Sequence, residues 1–119
     1  YGIDVPESNV AVLNGGLAYT EAAKGDTCTF GEVFATDGRI SALNLVVLED
    51  DKNFFPNYAL VPVVRQDTLE KYPELKEILE SVSTRLDDAT MQRLNGEVDV
   101  HRKSIEEVAA GYLKEQGLI

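Results

Sequence analysis

The sequence predicts an α/β fold in which a mixed sheet with flanking helices is followed by a helical carboxyl-terminal part. Residues 30–64 contain short apolar segments that turn-forming or acidic residues separate, a pattern typical of strands. The segments lie at 33–34, 45–48 and 60–64. From residue 67 onward, apolar side chains recur every three or four positions, which indicates helices. The 119 residues, 44% of them hydrophobic, are enough for one modest core.

The amino-terminal part is predicted to hold a strand, a short helix and a second strand. The apolar run 10–13 predicts the first strand. The alanine-rich residues 17–24 favour a helix, and Gly25 would close it because glycine readily adopts the left-handed conformation. Residues 27–34 are rich in β-forming side chains, which predicts the second strand.

The run Leu-Val-Val-Leu at 45–48 predicts a strand that is covered on both faces. It has no polar alternation, as is typical of a mainly parallel sheet with helices on either side. Before this run, Asp37 and Gly38 predict a turn, and residues 40–43 one turn of helix.

Three helices are predicted in the carboxyl-terminal part, each with a capping side chain before it. The predicted caps are Asp67 paired with Glu70, then Asp87 or Asp88, and finally Ser104 paired with Glu107. Pro73 fits the first turn of the first helix, and Gly96 is predicted to end the second.

The charge of the chain excludes nucleic acid as a partner. There are 21 acidic and 11 basic side chains, a formal charge of −10, so no basic face can meet phosphates. Residues 1–57 carry 9 acidic and 3 basic groups, so this part should attract cations most strongly. No signal peptide precedes Tyr1, and no apolar run approaches the roughly 18 residues that would cross a bilayer, so the chain is expected to be soluble as it stands.

Few residues could support catalysis or hold a metal. Cys28 is the only cysteine, which excludes an intrachain disulfide and a cysteine-based zinc site. The acidic run 49–51 lacks the ligand spacing of a calcium loop, which extends over about 12 residues. We therefore expect no enzymatic activity, no cofactor and no metal. A small acidic hydrolase that uses Asp50, Asp51 or His101 is one rival hypothesis.

A resemblance to a known family rests on three stretches: FATDGRI, LVVLEDDKNFFPNY and PVVR. They resemble the carboxyl-terminal half of the glycine betaine/carnitine/choline-binding proteins of ABC transporters, and the likeness runs in order from Tyr1 to Ile119. It implies part of a two-lobed, periplasmic-binding-protein-like fold of type II. Residues 1–57 would be a piece of the second, middle lobe, and 58–119 the crossover strand and carboxyl-terminal helices of the first. The family's amino-terminal half, with its export signal and about half of its ligand box, has no counterpart in the sequence.

The resemblance also implies a binding site for a quaternary ammonium ligand. Such a cation has no N–H group to donate, so proteins surround it with aromatic faces. Tyrosines form this box in the family, and two of its positions correspond to Phe34 and Tyr58. Phe34 keeps the ring face but lacks the hydroxyl. Thr36, Asp37 and Arg39 follow Phe34 at a turn and are candidates to tie the lobes together on closure, although turn chemistry alone also favours Asp-Gly.

The expected function follows from the resemblance. The intact protein would capture glycine betaine, choline or carnitine outside the cytoplasm and deliver it to the membrane permease of an ABC transporter. The alternative is a ligand-sensing or interaction module that uses the same fold without transport. With half of each lobe absent, open strand edges predict a homo-oligomer, most simply a dimer, with residues 57–61 between two prolines as the hinge.

Overall fold

The structure, a computed structural model, describes residues 2–56 and 59–119, and these residues form helices and irregular segments. A 3₁₀ turn at Glu7–Asn9 precedes the α-helices. The helices are α1 Gly15–Lys24, α2 Gly38–Ala42, α3 Gln66–Lys71, α4 Leu75–Ser83, α5 Asp88–Asp99 and α6 Ile105–Glu115. The main helix contacts join α2 to α5 and α5 to α6. None of the described helices is long and apolar enough to cross a membrane.

The predicted α/β fold with a mixed sheet is wrong for the described residues, none of which belongs to a strand. The segments 10–13, 45–48 and 60–64 are neither helical nor paired, and Val46 and Leu48 are 83% and 69% exposed. A strand persists only where a neighbour about 4.8 Å away satisfies its backbone N–H and C=O groups. An apolar, β-branched run shows that a segment suits a sheet, but not that a neighbour exists. The division into lobes at residues 57 and 58 stays a prediction, and both residues lie outside the described ranges.

The chain is expanded and leaves much apolar surface uncovered. Its radius of gyration is 18.1 Å, whereas a compact chain of this length has about 13.5 Å. Its accessible surface is 9493 Å², against about 6,400 Å² expected for a compact protein of 13.1 kDa. In the described ranges, the buried apolar side chains are Tyr19, Ile40 and Tyr112. Helix contacts and local hydrogen bonds therefore hold this chain together more than a large core does.

Local sequence signals place α6 and the end of α1 as predicted, while α1 starts at Gly15 instead of the predicted residue 17. The side chain of Asn14 accepts the N–H of Leu17 at 3.1 Å, and Gly25 closes α1 with a φ of 73° in the left-handed region. The hydroxyl of Ser104 accepts the N–H of Glu107 at 3.1 Å, which confirms the predicted cap of α6. The Tyr112 hydroxyl of α6 donates to the carbonyl of Arg85 at 2.9 Å, so α6 is also tied to the turn before α5.

Three further stretches differ from the predicted helix boundaries. The helix expected after Asp67 is divided into α3 and α4, and its N-cap is Arg65, with Asp67 inside the helix and paired to Arg65 at 2.6 Å. The Asp37-Gly38 turn is the start of α2, because the Asp37 carboxylate accepts the N–H of Arg39 at 2.9 Å. Asp87 caps α5 as predicted, but α5 continues through Gly96 to Asp99. Gly96 lies inside α5, where its backbone contacts Gly38.

Candidate functional site

A cleft of about 380 Å³ lies between the start of α1 and the loop that leads into α2. Its lining includes Gly16, Tyr19, Glu32, Phe34, Asp37 and Arg39. The volume falls in the range of about 300–1,000 Å³ that is typical of small-molecule sites. The cleft therefore contains Phe34, Asp37 and Arg39, three of the five residues that the sequence predicted for the site.

Phe34 begins a short loop, residues 34–37, whose backbone is fixed by side chains from two helices. The N–H of Phe34 donates to the hydroxyl of Tyr19 in α1 at 3.2 Å. From α5, Gln92 Nε2 donates to the carbonyl of Ala35 at 2.6 Å, and Asn95 Nδ2 donates to the carbonyl of Thr36 at 2.8 Å. The residue Phe34 itself is 64% exposed. A fixed backbone thus presents an exposed aromatic residue at the cleft.

Asp37 and Arg39, at the end of this loop, are joined by two hydrogen bonds. One Asp37 oxygen accepts the backbone N–H of Arg39, and the other accepts from Arg39 Nη1 at 2.9 Å. The Arg39 guanidinium lies over the ring of Tyr19, with Cζ 5.5 Å from the ring centroid, a cation–π geometry. The backbone carbonyl of Thr36 accepts a hydrogen bond from Asn95 in α5. All three predicted closure residues are therefore at the cleft or directly beside it.

Tyr19 is one of the residues of the site that the sequence did not identify. It is 2% exposed, with its hydroxyl beneath Phe34 and its ring beneath Arg39. Burial raises the pKa of Tyr19 above its ordinary value of 10.0; the N–H of Phe34 opposes this shift, and hydrogen bonding to Asp37 adds to it. The one signal in the sequence was a single tyrosine in a helix rich in glycine and alanine, and that pattern equally fits an ordinary core residue.

The crossing of α2 over α5 brings the loop and its anchoring side chains together. An added Cβ at Gly38 would lie 2.5 Å from the Cα of Gly96 and 2.8 Å from the carbonyl carbon of Asn95. Only a residue without a side chain permits this approach. The close contact of the two backbones places Asn95 within reach of the Thr36 carbonyl.

Other parts of the chain supply less for a binding site. Tyr58, the second predicted ring, lies outside the described residues, so a box shared by Phe34 and Tyr58 stays a prediction. A hollow of about 450 Å³ near the start of α3 is lined by Arg65, Gln66, Asp67 and Glu70, without an aromatic ring. Within 2–56 and 59–119, no group of three His, Cys, Asp or Glu residues is placed to hold a metal. The Asp50 carboxylate accepts the N–H of Phe55 at 2.8 Å, which closes its own acidic loop.

Comparison with known proteins identifies the family. Residues 1–115 match the family described as "Substrate binding domain of ABC-type glycine betaine transport system". The chain is 40% identical over 119 residues to the glycine-betaine-binding protein of Pseudomonas aeruginosa, covering all of this chain and 38% of that protein. It is 47% identical over 87 residues to the ergothioneine transport permease/ergothioneine binding protein EgtU of Helicobacter pylori, covering 73% of this chain and 16% of that protein.

A solved structure agrees with this assignment. The structure of apo YehZ from Escherichia coli superposes with a TM-score of 0.82 at 31% identity, over 99% of this chain and 43% of that one. YehZ is described as a glycine betaine-binding protein. The chain thus spans about two fifths of the length of YehZ and of the Pseudomonas protein. The family match covers nearly the whole chain, and the chain belongs to the family of substrate-binding domains of ABC-type glycine betaine transport systems.

Proposed function

We propose that the chain carries part of the ligand site of an ABC-transporter substrate-binding protein for quaternary ammonium osmoprotectants. The observation that supports this most directly is Phe34, an exposed aromatic residue held at the rim of a cleft by a fixed backbone. A quaternary ammonium group cannot donate a hydrogen bond, so an aromatic face is what a protein can offer it.

The charges at the cleft favour a cation. Glu32 and Asp37 line it, against one cationic side chain, Arg39. Arg39 is already paired with Asp37 and lies over Tyr19, so its positive charge is partly compensated. The Glu32 carboxylate then leaves the cleft with an attractive potential for a cationic headgroup.

The aromatic box would combine Phe34 with Tyr58. Each well-placed ring contributes on the order of 0.5–2 kcal/mol to holding a cation, so useful affinity needs several rings. Tyr19 is not one of them, because it is buried and Arg39 occupies one face of its ring. Further rings would come from the other wall of the site in the intact protein.

Thr36, Asp37 and Arg39 would tie the two lobes together on closure. A guanidinium carries five N–H donors, more than its single pairing with Asp37 uses, and the Arg39 side chain is 41% exposed. It can therefore reach an acceptor on an opposing wall while it stays anchored at Asp37.

The ligand class follows the relatives, which are named for glycine betaine and ergothioneine, and the resemblance noted in the sequence. Glycine betaine and carnitine join a trimethylammonium group to a carboxylate, and choline has the cation alone. Ergothioneine is a second candidate ligand, because the identity to EgtU, 47% over 87 residues, is higher than the 40% to the glycine-betaine-binding protein. Ergothioneine also carries a trimethylammonium group beside a carboxylate, so the same aromatic box would suit it.

The intact protein would act outside the cytoplasm and hand its ligand to a membrane permease, without catalysing a reaction. The alternative, a sensing or interaction module without transport, would be favoured by a DNA-binding domain or an unrelated membrane domain in the same gene. A permease domain or a neighbouring permease gene favours transport.

The isolated chain is proposed to form a homodimer. Its exposed surface exceeds that of a compact protein of its mass by about 3,100 Å², whereas a stable interface needs about 800 Å² from each partner. Exposed apolar residues such as Val46 and Leu48 supply the surface that a second copy could cover. In a longer protein the remaining residues would compete for the same surface.

Removal of one ring tests the ligand site. In the intact protein, Tyr58→Ala should weaken quaternary ammonium binding by an order of magnitude or so, since one wall of the box is lost. Calorimetric titration measures this, with Tyr72→Ala as the matched control, because Tyr72 lies at the end of α3 and not at the cleft. An unchanged dissociation constant for Tyr58→Ala would show that Tyr58 does not contact the ligand.

A further inference from the structure

We propose that Gln92 and Asn95 of α5 are positioning residues that set where Phe34 stands in the cleft. This inference rests on the proposed function, because it concerns the same ligand site. Neither side chain lines the cleft, so each would act on the ligand only through the loop that carries Phe34.

The geometry is specific to this loop. Gln92 and Asn95 are three residues apart on a helix and therefore share one face of α5. Their amide nitrogens donate to consecutive carbonyls, those of Ala35 and Thr36, at 2.6 and 2.8 Å. These carbonyls follow Phe34 directly in the chain. From α1, the Tyr19 hydroxyl accepts the N–H of Phe34 at 3.2 Å.

The three bonds fix three consecutive residues from two helices. Both α5 bonds are partly buried, so water does not readily replace either partner, and a carbonyl left without its donor would be costly. The Gly38–Gly96 contact holds α5 close to the end of the loop. It leaves no space for α5 and the loop to move closer to each other. Small displacements of α5 are therefore passed to the backbone at Phe34.

This control of position matters because a cation–π contact depends on distance. The attraction is significant only when the cation lies within about 6 Å of the ring centroid, and a box needs several rings at that distance together. A loop freed from α5 would keep its aromatic side chain but lose the fixed distance to the other rings. The affinity for ligand should therefore fall although every side chain that lines the cleft is still present.

The test uses Asn95→Asp and Gln92→Met in the intact protein, each close in shape to the original side chain but without its N–H donor. Glycine betaine, choline, carnitine and ergothioneine are titrated by calorimetry, and the tightest-binding one serves as the probe. We expect each variant to bind this probe about 10-fold more weakly. Asn9→Asp introduces the same charge at an exposed site and should bind like the unmodified protein.

Combination with Phe34→Ala separates positioning from general damage to the fold. If Asn95 acts through Phe34, the double variant Asn95→Asp/Phe34→Ala should bind no more weakly than Phe34→Ala alone. Multiplied losses in the double variant, or unchanged binding by Asn95→Asp and Gln92→Met, would overturn the proposal. Should Asn95→Asp fail to fold, the same comparison of single and double variants is made with Gln92→Met and Phe34→Ala. If the unmodified protein binds none of the four ligands, the proposed function itself is refuted.

Discussion

A methyl group added at Gly38 should separate α2 from α5 and release the loop at the cleft. In Gly38→Ala the new Cβ would lie 2.5 Å from the Gly96 Cα, whereas ordinary van der Waals contact begins at 3.4 Å. The backbones must therefore move apart by at least about 0.9 Å, and the Gly96 nitrogen, which lies closer still, requires more; these atoms belong to backbone and cannot rotate away. That movement stretches the bonds from Gln92 and Asn95 beyond useful length.

The cost follows from these two effects. Overpacking of this kind costs about 1–3 kcal/mol, and two lost hydrogen bonds add about 1 kcal/mol each, so the free energy of unfolding should fall by about 3–5 kcal/mol. In a cooperative unit of 150–250 residues, each kcal/mol lowers the melting temperature by about 2–4 °C, which gives a decrease of about 6–20 °C.

Thermal unfolding of the intact protein measures this effect, and Gly96→Ala is its control. A Cβ at Gly96 would lie 3.7 Å from the Gly38 carbonyl oxygen, an ordinary contact, and alanine favours the interior of a helix. Gly96→Ala should thus be neutral or slightly stabilising. Equal melting temperatures for Gly38→Ala and the unmodified protein would refute the close contact and the account of the loop that depends on it.

Three further predictions concern the site, the pH dependence and the isolated chain. Phe34→Tyr should bind quaternary ammonium ligands as tightly as the original in calorimetry, because the ring face is kept; a 10-fold loss would contradict this. The pKa of Tyr19 is raised in the folded state, so its contribution to stability is full below pH 10 and is lost as the pH rises through the raised pKa. Denaturant titrations at pH 9 and pH 11 should therefore show a smaller alkaline loss for Tyr19→Phe; equal losses would exclude Tyr19 as the cause. Light scattering should find the isolated chain as a dimer, and a 13.1 kDa species at every concentration would refute that.

The helix ends could be predicted where their determinants are local. Asp87, Ser104 and Gly25 act on backbone groups within four residues, so sequence spacing contains the whole cause. The prediction that Asp67 caps a helix is wrong, because Arg65 binds the Asp67 carboxylate and the helix begins earlier. Asp67 has the chemistry of a cap, but its ion pair with Arg65 is a partner that the capping pattern does not include.

Elements that depend on distant partners could not be predicted in this way. The run 45–48 has the composition of a strand, but pairing depends on a neighbour that composition does not specify. Gly96 resembles a helix end in sequence, yet its role is a contact with Gly38, in a different helix. Gln92 and Asn95 bind carbonyls 57 and 59 residues away, so nothing in their own surroundings identifies them. The family's motif located the loop 34–37, and the contacts that hold it required the structure.

Calorimetric titration of the intact protein with glycine betaine and with glycine tests whether the site recognises a quaternary ammonium group. The two share a carboxylate and differ in the three methyl groups that turn an amine with N–H donors into a quaternary ammonium. Choline, carnitine and ergothioneine in the same series identify the preferred headgroup. We expect saturable binding of at least one quaternary ammonium ligand and no detectable binding of glycine, because only the methylated cation needs an aromatic box. Equal affinity for glycine, or no binding of any quaternary ammonium compound, would contradict this expectation.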